Sequence, residues 1–191
     1  MTPTREQAYA LLTEHTGSPN LVKHALCVEA AMRFYAGTCG GDEQAWGVAG
    51  LLHDFDYEEH PSLEEHPFVG AEILRSLDYP EEIVEAILGH SDHTGVPRTT
   101  QMAKSLYAVD ELTGFIVACA LVRPSKSLLD LPVKSITKKF KDKAFCRAID
   151  RDHLRAAADE IELPVRDHVE NVLTALQGIA AELGLKGEAA G

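Results

Sequence analysis

The stretch VAGLLHDFDYEEHP, residues 48–61, runs small and apolar and then ends in an imidazole beside a carboxylate, His53-Asp54. Neither group belongs at the buried end of a helix unless something there needs a lone pair or a negative charge. The same anomaly recurs along the chain. His24 shares a helical face with Leu21, Ala25 and Val28, and His53 follows Trp46, Ala49 and Gly50 at helical spacing. His90 follows Ile83, Ala86 and Ile87, while Asp110 follows Ala103, Leu106 and Tyr107 and precedes Gly114 and Val117. By the 3.6-residue period each of these is a core position. One such histidine can be satisfied by a backbone carbonyl, but a buried aspartate needs a cation or a network of donors. Histidines and aspartates converging from separate helices satisfy one another around a divalent transition-metal ion, for which imidazole nitrogen and carboxylate oxygen are borderline ligands. One or two ions of iron, manganese, cobalt, nickel or zinc fit that donor set, and the residues alone do not choose among them.

Helices must carry these side chains, and the punctuation of the sequence supplies them. Thr4 is placed to cap TREQAYALLTEH, which stops before Gly17-Ser18-Pro19. Asn20 is read as the cap of LVKHALCVEAAMRFYAGTC, closed by Gly40-Gly41, and Asp42 as the cap of EQAWGVAGLLHD. Pro67 and Pro80 open PFVGAEILRSL and PEEIVEAILGH, and TTQMAKSLYAVDELTGFIVACALV forms a long buried helix. Shorter helices are expected near 141–149 and 150–159, then a final amphipathic one over VRDHVENVLTALQGIAAEL, with KGEAAG frayed. No alternating strand pattern, repeat or low-complexity linker interrupts the series. The expected fold class is all-α: a single domain over 1–191, a compact multi-helix bundle with a metal site in its core.

At 191 residues, 45% hydrophobic and 25% charged, the composition is that of a globular protein. No apolar run approaches the roughly 18 residues of a membrane span, and MTPTREQAYALL lacks the pattern of a secretory signal. Cys27, Cys39, Cys119 and Cys146 are widely spaced without a C-x-x-C, which argues for buried thiols and a reducing, cytoplasmic setting. The net charge of −12 disfavours nucleic acid as a partner. From Arg123 to Arg147, however, eight basic residues face only Asp130 and Asp142, a local charge of +6. Such an island suits a small anionic ligand. Arg123, Lys126, Lys134 and Lys138 are the expected anion-binding rim, and the alternative is a solvated face or one that pairs with acidic surface in a homo-oligomer.

The order His24, then His53-Asp54, then Asp110 resembles the HD-domain superfamily of metal-dependent phosphohydrolases. HPFVGAEIL from His66 and VEAILGH ending in His90 are similar to the extra histidine positions of members that hold two metals. VDELTGFIVACALVRPSK is similar to HDIG-type bacterial hydrolases. The resemblance implies an HD-domain core over about 20–125 and a helical extension over 126–185. It implies that His24, His53, Asp54 and Asp110 hold one ion, and that His66 and His90 hold a second with Asp54 bridging. Two departures are visible: HSDHTGVP stands where cyclic-dinucleotide phosphodiesterases carry Gly-Tyr-Pro, and FDYEE lacks the lysine that some HD oxygenases carry after His-Asp.

The chemistry such a centre serves is phosphoester hydrolysis, in which the barrier is charge placement at phosphorus. The expectation is a metal-dependent phosphohydrolase of a small phosphorylated metabolite or nucleotide, with Asp54 at the reacting centre. Asp92, His93 and Asp56 are the candidates for proton transfer. A di-iron oxygenase and a non-catalytic nucleotide-binding sensor are the alternative readings of the same frame. His15, His60, His153 and His168 read as surface or loop histidines, Glu58, Glu59, Glu64 and Glu65 as a solvated acidic loop, and Trp46 as core.

Overall fold

The structure, a computed structural model, describes residues 2–187. Among them are nine α-helices, one short 3-10 turn and a single isolated β-bridge between Ser127 and Lys186. The chain divides into two compact units, one up to Tyr107 and one from Ala108 onward.

The first unit is built from α1 (Arg5–His15), α2 (Pro19–Cys39), α3 (Glu43–Leu52), α4 (Phe68–Ser76), α5 (Glu81–Gly89) and the start of α6 (Gln101–Leu121). The expected caps hold at two helices. Thr4 and Gln7 form a reciprocal capping box on α1, and Asp42 accepts from the amides of Gln44 and Ala45 on α3. α2 begins earlier than expected: Pro19 takes the first helical position and Ser18 the cap, so Asn20 already lies inside the helix. The amide of Ser18 instead finds a partner in the Glu58 side chain. A buried carboxylate ties α1 to α2, because Glu29 accepts from both Arg5 and Arg33 at 2.8 and 2.9 Å.

α3 is buried from Ala45 to Leu52, Trp46 included, and it packs on α2 at Gly50. A Cβ on Gly50 would stand 2.9 Å from the carbonyl oxygen of Val28 and 3.0 Å from Cα of Glu29. Only a residue without a side chain lets the two backbones approach this closely. That approach sets the ends of α2 and α3 that carry His24 and His53 side by side, with ring centroids 5.1 Å apart.

The second unit holds the rest of α6, α7 (Val133–Lys139), α8 (Arg151–Glu160) and α9 (Val165–Gly178). Residues 141–149, expected as a helix, form a series of turns instead, while the helix at 133–139 lacked any strong sequence signal. The guanidinium of Arg151 explains the turns. It donates to the carbonyls of Phe145, Cys146 and Ile149, gathering into one fork oxygens that a helix would aim along its axis. Lys186 is tied down through the bridge to Ser127, contrary to the expected fraying, and the tail beyond Gly187 lies outside the described residues. Cys27 and Cys119 are buried as expected, whereas Cys39 is exposed and Cys146 half-buried.

His168 corrects another expectation. It is 1% exposed on α9, and its Nε2–H donates to the carbonyl of Ala108 at 2.9 Å. Burial pushes its pKa down to about 4, against the raising effect of that carbonyl.

Candidate metal centre

α3 ends at Leu52, so His53 and Asp54 leave the helix at its closing turn and turn into the core of the first unit. His53 is fully buried, whereas the Asp54 side chain keeps 23% of its surface exposed. The two oxygens of Asp54 face different histidines. Oδ2 lies 3.3 Å from Nε2 of His53 and 3.9 Å from Nε2 of His24. Oδ1 lies 3.2 Å from Nε2 of His66 and 3.4 Å from Nε2 of His90. His24, His53 and Asp54 thus form one group of donor atoms within 4.8 Å of one another, and Asp54, His66 and His90 form a second.

The other nitrogen of each buried ring decides what faces Asp54. Nδ1–H of His53 donates to the carbonyl of Gly50 at 2.8 Å, and Nδ1–H of His90 donates to that of Ile87 at 2.5 Å. Nδ1–H of His66 donates to Asp56 at 2.8 Å. A neutral imidazole carries one proton, so each of these bonds leaves the lone pair on Nε2, aimed at the carboxylate. Lone pairs that face lone pairs at this range repel unless a cation stands between them. In its absence the carboxylate draws protons onto the rings. Burial opposes charge on His66, yet the hydrogen bonds it donates to Asp54 and Asp56 raise its pKa to about 9. Burial likewise opposes charge on Asp54, yet His53, His66 and His90 hold its carboxyl well below the usual range. The donor types, their tautomers and their convergence fit one or two divalent ions.

Asp56 was expected among the proton-transfer candidates, but the structure gives it a different place. It is 1% exposed, and its second oxygen accepts from the amide of Gly70 at 2.7 Å. A Cβ on Gly70 would come within 2.9 Å of that carboxylate, so the glycine is what admits the contact. A buried carboxylate behind a histidine fixes ring orientation and raises its basicity as a ligand. The D-x-D spacing from Asp54 was the available signal, and alternate residues of an irregular turn gave no reason to separate their roles.

Asp92 and His93 lie on a short 3-10 turn after α5, at Asp92–Thr94. Asp92 is 63% exposed, and it accepts from the Tyr107 hydroxyl at 3.0 Å and pairs with Arg98 at 2.9 Å. Nε2–H of His93 donates to the backbone carbonyl of His66 at 2.9 Å, and its Nδ1 accepts from the Ser91 hydroxyl. His93 therefore braces the segment that presents His66.

Asp110 lies half-buried on the part of α6 that belongs to the second unit, where its carbonyl accepts from the Thr113 hydroxyl. Its carboxylate is carried in the ligand set by the family resemblance. The expected anion rim is dispersed within that unit. Arg123 is bound to Asp130 through both the carbonyl, at 3.2 Å, and the carboxylate, at 3.4 Å. Lys126 and Lys134 are exposed on separate segments, and Lys138 lines a small cavity with Ser135 and Lys141. No described helix is long and apolar enough to cross a membrane.

Residues 21–114 match the family described as HD domain, a span that contains every histidine and aspartate of the two donor groups and Asp110. Among curated proteins the chain is similar to Ribonuclease Y of Oleidesulfovibrio alaskensis, 31% identical over 98 residues, and to that of Lawsonia intracellularis, 33% identical over 96. Those matches take in 51% and 50% of this chain and 18% of each relative. Ribonuclease Y of Lactobacillus acidophilus is 30% identical over 115 residues, 59% of this chain and 21% of that protein. The matched part is thus about a fifth of these relatives' length. No solved structure matches the chain. The paired histidines around Asp54 and the family match agree: residues 21–114 of the chain are an HD domain.

Proposed function

We propose that the chain is a metal-dependent hydrolase that cleaves a phosphoester of a small phosphorylated metabolite or nucleotide with a metal-bound water. The observation that carries this reading is the division of labour at Asp54, whose two oxygens face separate histidine pairs on either side. A bound divalent ion at such a site lowers the pKa of its water from about 15.7 toward 7 and polarises a phosphoryl oxygen.

The residues do the rest. His24, His53 and one oxygen of Asp54 would hold one ion, and His66, His90 and the other oxygen a second; Asp110 joins the first set on the family resemblance alone. The exposed edge of Asp54 leaves the substrate an approach from solvent. Asp56 and His93 keep His66 in place from the side chain and the backbone respectively. Protonation of the leaving oxygen would fall to His93, whose Nε2–H must first leave the His66 carbonyl, or to Asp92, which must first leave Arg98 and take up a proton. The relatives' name, ribonuclease, supports a phosphodiester within the same reaction class.

The test begins with elemental mass spectrometry of protein purified without chelator or metal-affinity resin, beside His90→Ala. About two equivalents, falling toward one in the variant, are expected from a carboxylate-bridged pair. Phosphomonoesters, phosphodiesters and nucleotides are then assayed with the metal found. No turnover by the loaded protein of any of these would overturn hydrolysis, and oxygen consumption by an iron-loaded protein would replace it with oxidation.

A further inference from the structure

In the second unit, the turns that replaced the expected helix at 141–149 wall a cavity of about 680 Å³, within the range of small-molecule sites. Its lining carries five cationic side chains, from Lys141, Lys143, Arg147, Arg151 and Arg155, against the two carboxylates of Asp150 and Asp152. Both carboxylates are already occupied. Asp150 accepts from the amide of Asp152 as the cap of α8, and Asp152 pairs with Arg155 at 2.6 Å. The nearby Asp142 is taken by Lys139 at 2.9 Å. Among the described residues no ion pair engages Lys141, Lys143 or Arg147. A chain with 30 acidic and 18 basic residues has ample carboxylate with which to neutralise cations. Three that converge unpaired on one concavity repel one another, and an anion of matching charge relieves that repulsion.

The wall is also braced. Arg151 gathers the carbonyls of Phe145, Cys146 and Ile149, and its guanidinium lies 4.8 Å from the ring centroid of Phe115. Phe115 in turn meets the rings of Phe140 and Phe145 edge-on, at 5.0 and 5.5 Å. The segment bearing Lys143 and Arg147 is therefore fixed before any ligand arrives, which reduces the entropy lost on binding. Arg151 is the positioning residue, and Lys141, Lys143 and Arg147 are the contacts.

We propose that this cavity binds an oligophosphate group: two or three linked phosphates, free or as the tail of a nucleoside triphosphate. The N-terminus of α8 is closed by Asp150, so the side-chain cations carry the recognition. This goes beyond the hydrolytic reading and stands on residues separate from the ligand set at Asp54.

The experiment is isothermal titration of the full chain with tripolyphosphate and with a nucleoside triphosphate. Three proteins are compared with wild type: the Lys143→Ala/Arg147→Ala double variant, Asp152→Asn and Asp54→Asn. Charge-assisted contacts of this kind lead us to expect a loss of at least about tenfold in the double variant, with Asp54→Asn close to wild type. Asp152→Asn frees Arg155 and should tighten binding, a gain that damage to the fold would not produce. Equal affinity for the two ligands assigns recognition to the phosphate chain, and tighter binding of the nucleotide adds its nucleoside; either supports the site. Unchanged affinity in the double variant overturns it, as does loss of binding in Asp54→Asn alone, which would place the anion at the metal centre. Preference for a single-stranded RNA over tripolyphosphate also overturns it. Phosphoester turnover is measured separately, so failure of the hydrolytic reading leaves this result standing.

Discussion

Asp56 holds Nδ1 of His66 at 2.8 Å with one oxygen, while its other oxygen holds the backbone of α4 through the Gly70 amide. The pair makes one ring of the donor group at Asp54 dependent on a carboxylate outside that group. Asp56→Asn can satisfy only one of its two donors. Loss of such an outer partner costs about 10–100-fold in metal affinity, so the variant should release the ion at His66 and His90 first and retain the one at His24 and His53. Competition with a graded chelator series reads the two affinities apart.

Removal of metal should lower thermal stability. With an ion absent, the Nε2 lone pairs of His66 and His90 face Asp54 oxygens at 3.2 and 3.4 Å, and their repulsion is relieved only by protonation or by displacement of the rings. A ligand that binds only the folded state at about 100 times its dissociation constant contributes about 2.7 kcal/mol. Melting curves with and without chelator should therefore separate by several degrees, and the difference should shrink in Asp54→Asn.

Gly50 is predicted to resist even alanine. Its Cβ would meet the α2 backbone at Val28 and Glu29 and also Met32 Cγ at 2.9 Å, and none of these is the loose end of a flexible side chain. Overpacking of this kind costs about 1–3 kcal/mol. Gly50→Ala should lower the unfolding free energy, read by urea titration, by that measure and weaken metal binding as well, because displacement of α2 carries His24 away from Asp54.

His168 should make the fold acid-sensitive. Its folded pKa is about 4, below the ordinary 6.5, so the unfolded chain binds the proton more readily than the folded one. Stability attributable to the neutral ring is therefore present above pH 6.5 and is lost as the pH falls toward 4. The full shift corresponds to about 3 kcal/mol. His168→Gln keeps a donor for the Ala108 carbonyl without a group that titrates, and its stability should be flatter than wild type between these limits, by denaturant titration at stepped pH.

Much of the centre was legible because helical periodicity is a local property. His24, His53, His90 and Asp110 declared themselves as ionisable groups in apolar phase, and three of those side chains lie where the structure groups donor atoms with Asp54. His66 had no such phase to betray it, since it precedes α4 in an irregular segment, and only the family likeness picked it out. His168 escaped for the opposite reason. It sits on a helix with charged neighbours, and only packing against the carbonyl of Ala108, 60 residues away, buries it. The segment at 141–149 has helix-forming residues, yet Arg151 captures its carbonyls from the next helix.

The sequence by itself determined the fold class, most helix boundaries and the residue types able to hold a metal, because caps, prolines and the 3.6-residue period act within a few positions of one another. Tertiary structure alone decided which oxygen of Asp54 faces which histidine pair, that Asp56 stands behind His66, and that Lys141, Lys143 and Arg147 share a cavity. Those relations rest on distances of a few ångströms between residues tens of positions apart, and such distances exist only once the helices have packed.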